Sequence, residues 1–494
     1  MFSRLRQIQA DRVLLWVSCG AASAAALCSL SWRMVHDTPI MLYQANLMVK
    51  HGLMPYRDFF CINLPGSLWL YGWVIRLFGV TDLSVHVANL LIVAGVATLS
   101  FFALSGTCRR CAALGVALGV LRIFSGEVAF ILERELLALI PIAGLAYLSL
   151  RSPVRERNQA AVAGLLMAWL FLIKPQLVLY GLPAVAYLWM ESAKPRRTFS
   201  LFLVMGAAFA LPVAGCGLWI AGHGAWPRFL ETLEYWTLYG QMTQSFTYVA
   251  PQERAHDVLT HALRMIFSPY LLAAGAALYA AWQGRLLGRS QLVFWVLLLA
   301  MTVFVPALSG QFWGYHRLPF FYFTLCASGY LLAGRAWSRG LAFLAVAFWV
   351  PFTALRVYRE TAEPSAIRLT HGIADVFEAH LRQNLRAGDR VQPIDWTYGA
   401  VQGMLLTDAM PATRFIESSY FLHSVSHPLI KKIRSEFLAS LEKQPPRFIL
   451  EALNVRWPNG RDTEETFAAF ETWRSAHYVA RKEGEHYRIW EYQP

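Results

Sequence analysis

Apolar residues run along this chain in long blocks rather than in strand-like alternation, and the blocks are about as long as a bilayer is thick. A helix needs roughly 17–25 apolar residues to cross the hydrocarbon. Segments near that length lie at 13–35, 85–106, 111–127, 136–150, 159–174, 176–192, 199–222, 267–284, 291–309, 317–334 and 340–358. The pattern predicts a mostly α, polytopic membrane protein with about eleven transmembrane helices. The first block follows basic residues, as a signal peptide would, but it extends for a full span without a small-residue cleavage site and reads as a retained helix. Two mixed segments, 38–51 with Tyr43 and Lys50 and 64–79 with Trp69, Tyr71, Trp73 and Arg76, predict helices lying in the outer membrane interface, within a first loop at 36–84. From about Thr361 the blocks stop. RVQPIDW (390–396), PRFILEAL (446–453) and YVARKEGEHYRIWEY (478–492) predict strands, the last a hairpin turning near Glu483 and Gly484, with helices at 365–385, 428–443 and 463–476. The expected organisation is a membrane module at 1–359 and an α/β domain at 360–494.

Composition agrees with the pattern. Of 494 residues, 56% are hydrophobic and 15% charged, against about a quarter charged in soluble proteins. Basic residues outnumber acidic ones 44 to 31, which would suit nucleic acid, but their distribution argues against it. Residues 360–494 hold 16 Lys+Arg and 18 Asp+Glu, leaving 28 and 13 to residues 1–359. The excess therefore belongs to the membrane part, where basic loops hold the cytoplasmic side. It sits in compact links, CRRC (108–111), RSPVRER (151–157), KPRR (194–197), GRLLGR (284–289) and GRAWSR (334–339), together with Arg4, Arg6 and Arg12. Every second connection is basic. Placing these in the cytoplasm, with an odd number of spans, sends the C-terminal domain outside. The seven cysteines imply no disulfide framework, and the C-x-x-C of Cys108 and Cys111 reads as coincidental spacing rather than metal or redox chemistry.

That topology collects the unusual polar residues on the outer face. The outer connections are 36–84, the link at 127–135, the turn Lys174-Pro175-Gln176, the segment 222–267 and GQFWGYHR at 310–317. Asp37, Glu133, Glu135, Lys174, His316 and Arg317 all fall on them. A transporter would instead place ionisable groups near mid-membrane on repeated, broken helices, and no internal repeat is visible. The stretch 221–257 is too long for a passive link, and its Trp226, Tyr235, Trp236, Tyr239, Phe246 and Tyr248 suit either a lipid or sugar contact or an interfacial helix.

The order of motifs carries a resemblance. D-T-P-x-x-L-Y-Q-A from Asp37, then H-G-L-M-P-Y-R-D-F-F-x-x-N-L-P-G from His51, then a Trp/Tyr-rich helix ending L-F-G, resemble the first extracytoplasmic loop of the GT-C superfamily of integral membrane glycosyltransferases. The similarity is greatest to bacterial relatives of protein O-mannosyltransferases and of lipid A aminoarabinose transferases. R-E-L-L-A-L-I-P (134–141), L-I-K-P-Q (172–176) and G-Y-H-R-L-P (314–319) extend it over most of residues 10–360, while the C-terminal domain matches only in position and general character.

The resemblance implies a bacterial inner-membrane enzyme that moves a monosaccharide from a polyprenyl phosphate to a glycan, lipid or protein acceptor on the periplasmic face, with inversion. It implies Asp37 as catalytic base and Glu135 as a second acid, orienting the acceptor or Arg134, with Glu133 competing for that role. Lys174, His316, Arg317 and Arg57 are the expected donor-phosphate ligands. Tyr43, Asp58, Arg134, Gln176, Tyr315, Tyr235 and Tyr239 complete the expected substrate and lipid contacts. At the level of residues alone, a bland alternative stands beside each role: a loop acid at Asp37, a surface pair of Glu135 with Arg134, a snorkelling Lys174, a structural His316, and a local ion pair of Arg57 with Asp58. No cofactor is expected, since no D-x-D or close ligand pair marks the first loop for a divalent metal, and no Gly-rich loop suggests a nucleotide-sugar donor. The competing functions are a ligase or polymerase taking a diphosphate-linked oligosaccharide, and a lipid or sugar transporter or flippase.

Overall fold

The computed structural model describes residues 2–493 apart from 127–129, 152–153, 193–194, 244, 335, 454 and 456, and gives the backbone alone for residues 2–8 and Ala366. Glu127 of the 127–135 link, Ser152, Pro153, Lys194 and Arg335 of the basic links, and the side chains of Arg4 and Arg6 lie outside the described residues. Contacts divide the chain into two compact units, one of residues 1–32, 86–216 and 259–362, the other of residues 33–85, 217–258 and 363–494.

The first unit is helical, and each predicted apolar block contains a helix. Among the described residues, five helical segments are long and apolar enough to cross a membrane: Gln9–Ser31, Asp82–Ser105, Pro195–Gly222, Arg289–Ser309 and Ala336–Ala362. A sixth arises if Pro251–Ile266 and Pro269–Gln283, bent by 45° at their junction, count as one span. The other blocks form shorter helices: Arg109–Ser125, Arg134–Leu150, Arg157–Ile173, Leu182–Glu191 and Leu318–Ser328. Prolines shorten two of them. Pro183 and Pro319 fix helix starts, and the adjoining apolar residues wind instead as the 3-10 segments Pro175–Gly181 and Gly329–Ala333. Close packing depends on small residues. A Cβ on Gly115 would lie 2.2 Å from the Cys326 carbonyl oxygen, and one on Gly329 would lie 2.2 Å from that of Cys111. Helix Arg109–Ser125 therefore meets the 318–333 segment backbone against backbone, the small-residue contact that replaces hydrophobic drive in lipid.

The C-x-x-C reading needs correction here, because Cys108 and Cys111 are joined by a disulfide. The helix start explains it: Cys108 is the N-cap of helix Arg109–Ser125, and one turn of helix brings the Cα atoms of Cys108 and Cys111 to 5.2 Å.

The second unit contains the expected α/β domain. Its five-stranded sheet runs in the order Met410–Pro411, Arg390–Ile394, Phe448–Ala452, Tyr487–Tyr492, Tyr478–Gly484. Arg390–Ile394 pairs in parallel with both its neighbours, and Tyr487–Tyr492 pairs antiparallel with both of its own. The predicted hairpin is present, with a bulge between Ala480 and Lys482. Its core recruits distant sequence: Phe60 and Tyr235 pack with Phe415, Tyr420, Phe437 and Ile449. Phe60 lies 4.8 Å from the Tyr420 ring, and its backbone N–H donates to the Arg414 carbonyl at 2.7 Å. Each such buried aromatic stabilises the fold by about 1.5–3 kcal/mol. The loop at 33–85 and the segment 217–258 thus group with residues 363–494, whereas the sequence alone joined them to the membrane module. Helix Asp37–Val49, read from its Tyr content as interfacial, is buried from Thr38 to Leu47. Packing against helix Ala400–Thr407 overrides its surface-like composition.

Candidate functional site

In the helical unit three sequence-distant residues converge. Helix Arg157–Ile173 stops because Pro175 disfavours helical geometry at the residue before it, and Lys174 is extended at φ −162°, ψ 119°. This turns Lys174 off the helix axis. Its Nζ donates to Glu135 Oε1 at 2.8 Å and to His316 Nε2 at 3.1 Å. Glu135 stands in the first turn of helix Arg134–Leu150, where the positive end of the helix dipole favours a carboxylate. His316 comes from the 3-10 turn Tyr315–Arg317, whose rigidity follows from Pro319 in the next turn.

The hydrogen bonds fix the chemistry of each group. An ammonium only donates, so His316 Nε2 is the acceptor and carries no proton; Nδ1 then donates to the Gln311 carbonyl at 3.1 Å. Burial of the imidazole, with the Lys174 ammonium beside it, lowers the His316 pKa and agrees with the neutral ring. Glu135 is 2% exposed and its Oε2 accepts no hydrogen bond among the described residues. Lys174 has two of its three donors committed, and 15% of its side chain remains exposed. The cluster is a buried carboxylate and imidazole that aim an ammonium, an arrangement able to bind an anion with the remaining N–H.

The two glutamates, inseparable by sequence, now differ. Glu135 is the one that pairs with Lys174, in place of a surface pair with Arg134. Glu133 is buried, and its carbonyl accepts the backbone N–H groups of Leu136 and Leu137 to start the helix. Arg134 and Gln176 are half-buried beside the cluster in sequence, and Tyr315 is buried with its ring 4.5 Å from that of His316. Arg317 turns its guanidinium toward the Phe321 ring at 5.6 Å, a face that Arg122 also covers at 4.1 Å. Gln311, which orients His316 through its main chain, was missed: a backbone carbonyl leaves no signal in residue type.

The remaining expected residues belong to the second unit. Asp37 begins helix Asp37–Val49, with Pro39 in its first turn, and lies 3.1 Å from His36 Nδ1. His36 adopts φ 64°, ψ −128°, a backbone conformation that costs a non-glycine residue roughly 1–3 kcal/mol. Arg57 and Asp58 form a bidentate ion pair at 2.8 Å, Asp58 accepts the Met54 N–H, and Arg57 Nη1 donates to the His223 carbonyl at 2.9 Å. The hydrogen bonds from Arg57 hold the Asp58 carboxyl below its usual range. This pair braces the first loop. Tyr43 is fully buried with its hydroxyl donating to the Ala409 carbonyl at 2.7 Å, Tyr235 is buried with its hydroxyl 2.7 Å from His423 Nε2, and Tyr239 stacks on Tyr235. Tyr43 and Tyr235 lie in the packed interior of the second unit, and Tyr239 is half-buried against it.

No protein-family model matches the chain, and no curated protein matches it in sequence. Solved structures do. The structure of ArnT from Cupriavidus metallidurans bound to undecaprenyl phosphate is similar over 98% of this chain and 97% of that one, with a TM-score of 0.62 and 12% identity. The apo form of the same protein gives 0.61 at 12% identity, again over 98% and 97%. Likeness at this identity shows the fold alone: the chain shares its overall architecture with that ArnT.

Proposed function

We propose that the chain is an inverting membrane glycosyltransferase that moves a monosaccharide from a polyprenyl phosphate to a cell-envelope acceptor on the periplasmic face of a bacterial inner membrane. The observation that carries this reading is Lys174, a cation held by a buried carboxylate and a neutral imidazole with one donor uncommitted. A fixed ammonium in a poorly hydrated setting suits a phosphate monoanion or dianion, and the fold is that of a protein whose structure contains undecaprenyl phosphate.

In this reading the acceptor hydroxyl gives its proton to the Asp37 carboxylate as its oxygen attacks the anomeric carbon. The bond from that carbon to the phosphate oxygen breaks on the opposite side, and the polyprenyl phosphate leaves as an anion that needs no proton. Lys174 neutralises the charge that develops on the leaving oxygen, while Arg317 and Arg134 supply further positive charge. The strained His36 next to Asp37 supports the assignment of the base, since such backbone cost persists where the surroundings hold a group in place. No step passes through a metal, and transfer in EDTA is the matching expectation.

Mass spectrometry of envelope glycans, lipids and proteins from cells with and without the chain tests the reading. Loss of one sugar residue mass from an acceptor supports transfer and identifies both sugar and acceptor. Loss of a whole oligosaccharide points to a ligase acting on a diphosphate-linked donor. An unchanged envelope, with altered sidedness of the lipid carrier in vesicles, points to a flippase. Asp37→Asn is expected to lower the transfer rate by about 10²- to 10⁴-fold, the usual worth of a general base, with donor binding retained; full transfer activity in that variant would remove Asp37 from the mechanism.

A further inference from the structure

The basic link CRRC contains a second piece of chemistry, unconnected with sugar transfer. Cys108 and Cys111 are the one bonded cysteine pair among the described residues, while Cys19, Cys28, Cys61, Cys216 and Cys326 carry free thiols. The two bonded sulfurs differ in setting. Cys108 is half-buried at the N-cap of helix Arg109–Ser125, and its Sγ accepts the Cys111 backbone N–H at 3.2 Å. Cys111 is 2% exposed, and its carbonyl is pressed against Gly329. Arg109 and Arg110 are both exposed between them, with Asp11 at 3.5 Å from Arg110 and the Arg151 guanidinium close to Gly106.

This asymmetry suits a reactive C-x-x-C: one cysteine half-buried at a helix start and followed by two exposed arginines, the other buried behind it. We infer that Cys108 and Cys111 form a reversible dithiol–disulfide site that exchanges with low-molecular-weight thiols, Cys108 being the sulfur that is attacked and, once reduced, the nucleophile. Reduction proceeds in two balanced steps. The thiolate of a small thiol attacks Cys108 Sγ, the Cys108–Cys111 bond breaks, and Cys111 leaves as a thiolate that takes up a proton. A second small thiolate attacks the outer sulfur of the mixed disulfide, releasing Cys108 and the oxidised small-molecule disulfide. Re-oxidation is the reverse, with that disulfide as oxidant. The bond staples the first turn of helix Arg109–Ser125 beside its contact with the 318–333 segment, so opening it loosens that helix start.

The test uses the full chain in detergent micelles, equilibrated in buffers of varied reduced-to-oxidised glutathione ratio, trapped with iodoacetamide and mapped by mass spectrometry. The 108–111 disulfide is expected to rise and fall with the ratio, and Cys108 to carry glutathione in Cys111→Ser. In that variant, lowering the thiol pKa by one unit multiplies the thiolate fraction roughly tenfold but reduces its nucleophilicity, for a net gain of about threefold. Alkylation of Cys108 in the folded protein at neutral pH is thus expected to be about threefold or more faster than in the same chain unfolded. Arg109→Gln moves that rate toward the unfolded value while leaving the melting temperature unchanged. A pair that stays reduced, or stays oxidised, at every ratio overturns the inference, as does a folded-state Cys108 no faster than the unfolded one.

Discussion

An ammonium donates three hydrogen bonds and accepts none, and at Lys174 two are committed, to Glu135 at 2.8 Å and His316 at 3.1 Å. Removing the cation and removing its holder should therefore fail in different ways. Lys174→Met keeps the length of the side chain but deletes the charge-assisted bond to phosphate, worth roughly 1.5–3 kcal/mol or about 10- to 150-fold in Kd. A binding titration with polyprenyl phosphate should show that loss, and an unaltered Kd would remove Lys174 from the phosphate site. Glu135→Gln leaves the ammonium in place without its ion partner. The full penalty for orphaning a buried charge is about 3–5 kcal/mol, and the 15% exposure of the Lys174 side chain makes the lower end or less the expectation. Its signature is a lower melting temperature with a smaller loss in phosphate Kd than in Lys174→Met, which in turn orphans the Glu135 carboxylate, its side chain 3% exposed, and should cost at least as much stability. At this scale the sequence showed which residue types matter and which motifs hold them, because costly polar residues stand out from apolar surroundings. It did not show that Glu135 rather than Glu133 is the partner of Lys174: two neighbouring helix-start acids differ only in where the first turn aims them.

Helices in this chain meet through glycine as much as through bulk. Gly115 and Gly329 each leave only 2.2 Å between a built Cβ and a facing carbonyl oxygen, a separation that neither backbone can yield. Gly115→Val should thus cost more than the roughly 1–3 kcal/mol of ordinary overpacking, read as loss of folded protein in detergent. Gly206, where a Cβ would meet nothing within 4 Å, serves as the control, and Gly206→Ala should be silent. In the second unit the decisive contact is ionic. Glu231 of helix Trp226–Tyr239 is 5% exposed in its side chain and pairs with Arg414, with Lys432 at 2.7 Å and with Arg228 at 3.1 Å; Glu436 pairs with Arg414 at 2.7 Å and Arg228 at 2.9 Å. Burial opposes ionisation of both glutamates, yet these cations outweigh it and hold both pKa values below the usual carboxylate range. A folded-state pKa below the unfolded one gives stability that is full above the unfolded value, near 4.3, and is lost as pH falls through the lower folded value. Unfolding of the second unit on acidification below about pH 4 is expected, and Glu231→Gln should flatten that dependence. Block length announced the helices themselves, but the 3-10 endings and this network were illegible: both depend on partners far along the chain, such as Arg414 and Glu436 beside Glu231.

Over the whole molecule the charge is divided unequally, 28 basic against 13 acidic residues before Glu360 and 16 against 18 from there onward. Basic links are held on the cytoplasmic side during insertion, whereas a near-neutral domain has no such restraint. If the links at 108–111, 151–157, 194–197, 284–289 and 334–339 are cytoplasmic, residues 363–494 lie on the opposite face together with the connections bearing Asp37, Glu135, Lys174 and His316. Among the described residues, five helices are long and apolar enough to span, or six with the bent pair, so a count of helices does not decide which side the C-terminus reaches. The charge pattern predicts one outcome. A protease site placed after Gln493 should be cut by protease added outside spheroplasts and protected in inside-out vesicles, while one placed in the 284–289 link should behave in the opposite way. Cleavage of both from the same side would break the alternation of basic links, and with it the proposal that transfer from a polyprenyl phosphate occurs on the outer face. Charge removal gives the complementary result: replacing Arg285 and Arg289 with glutamine weakens one basic link of five and should leave the orientation of the C-terminal site intact, because the remaining links still agree.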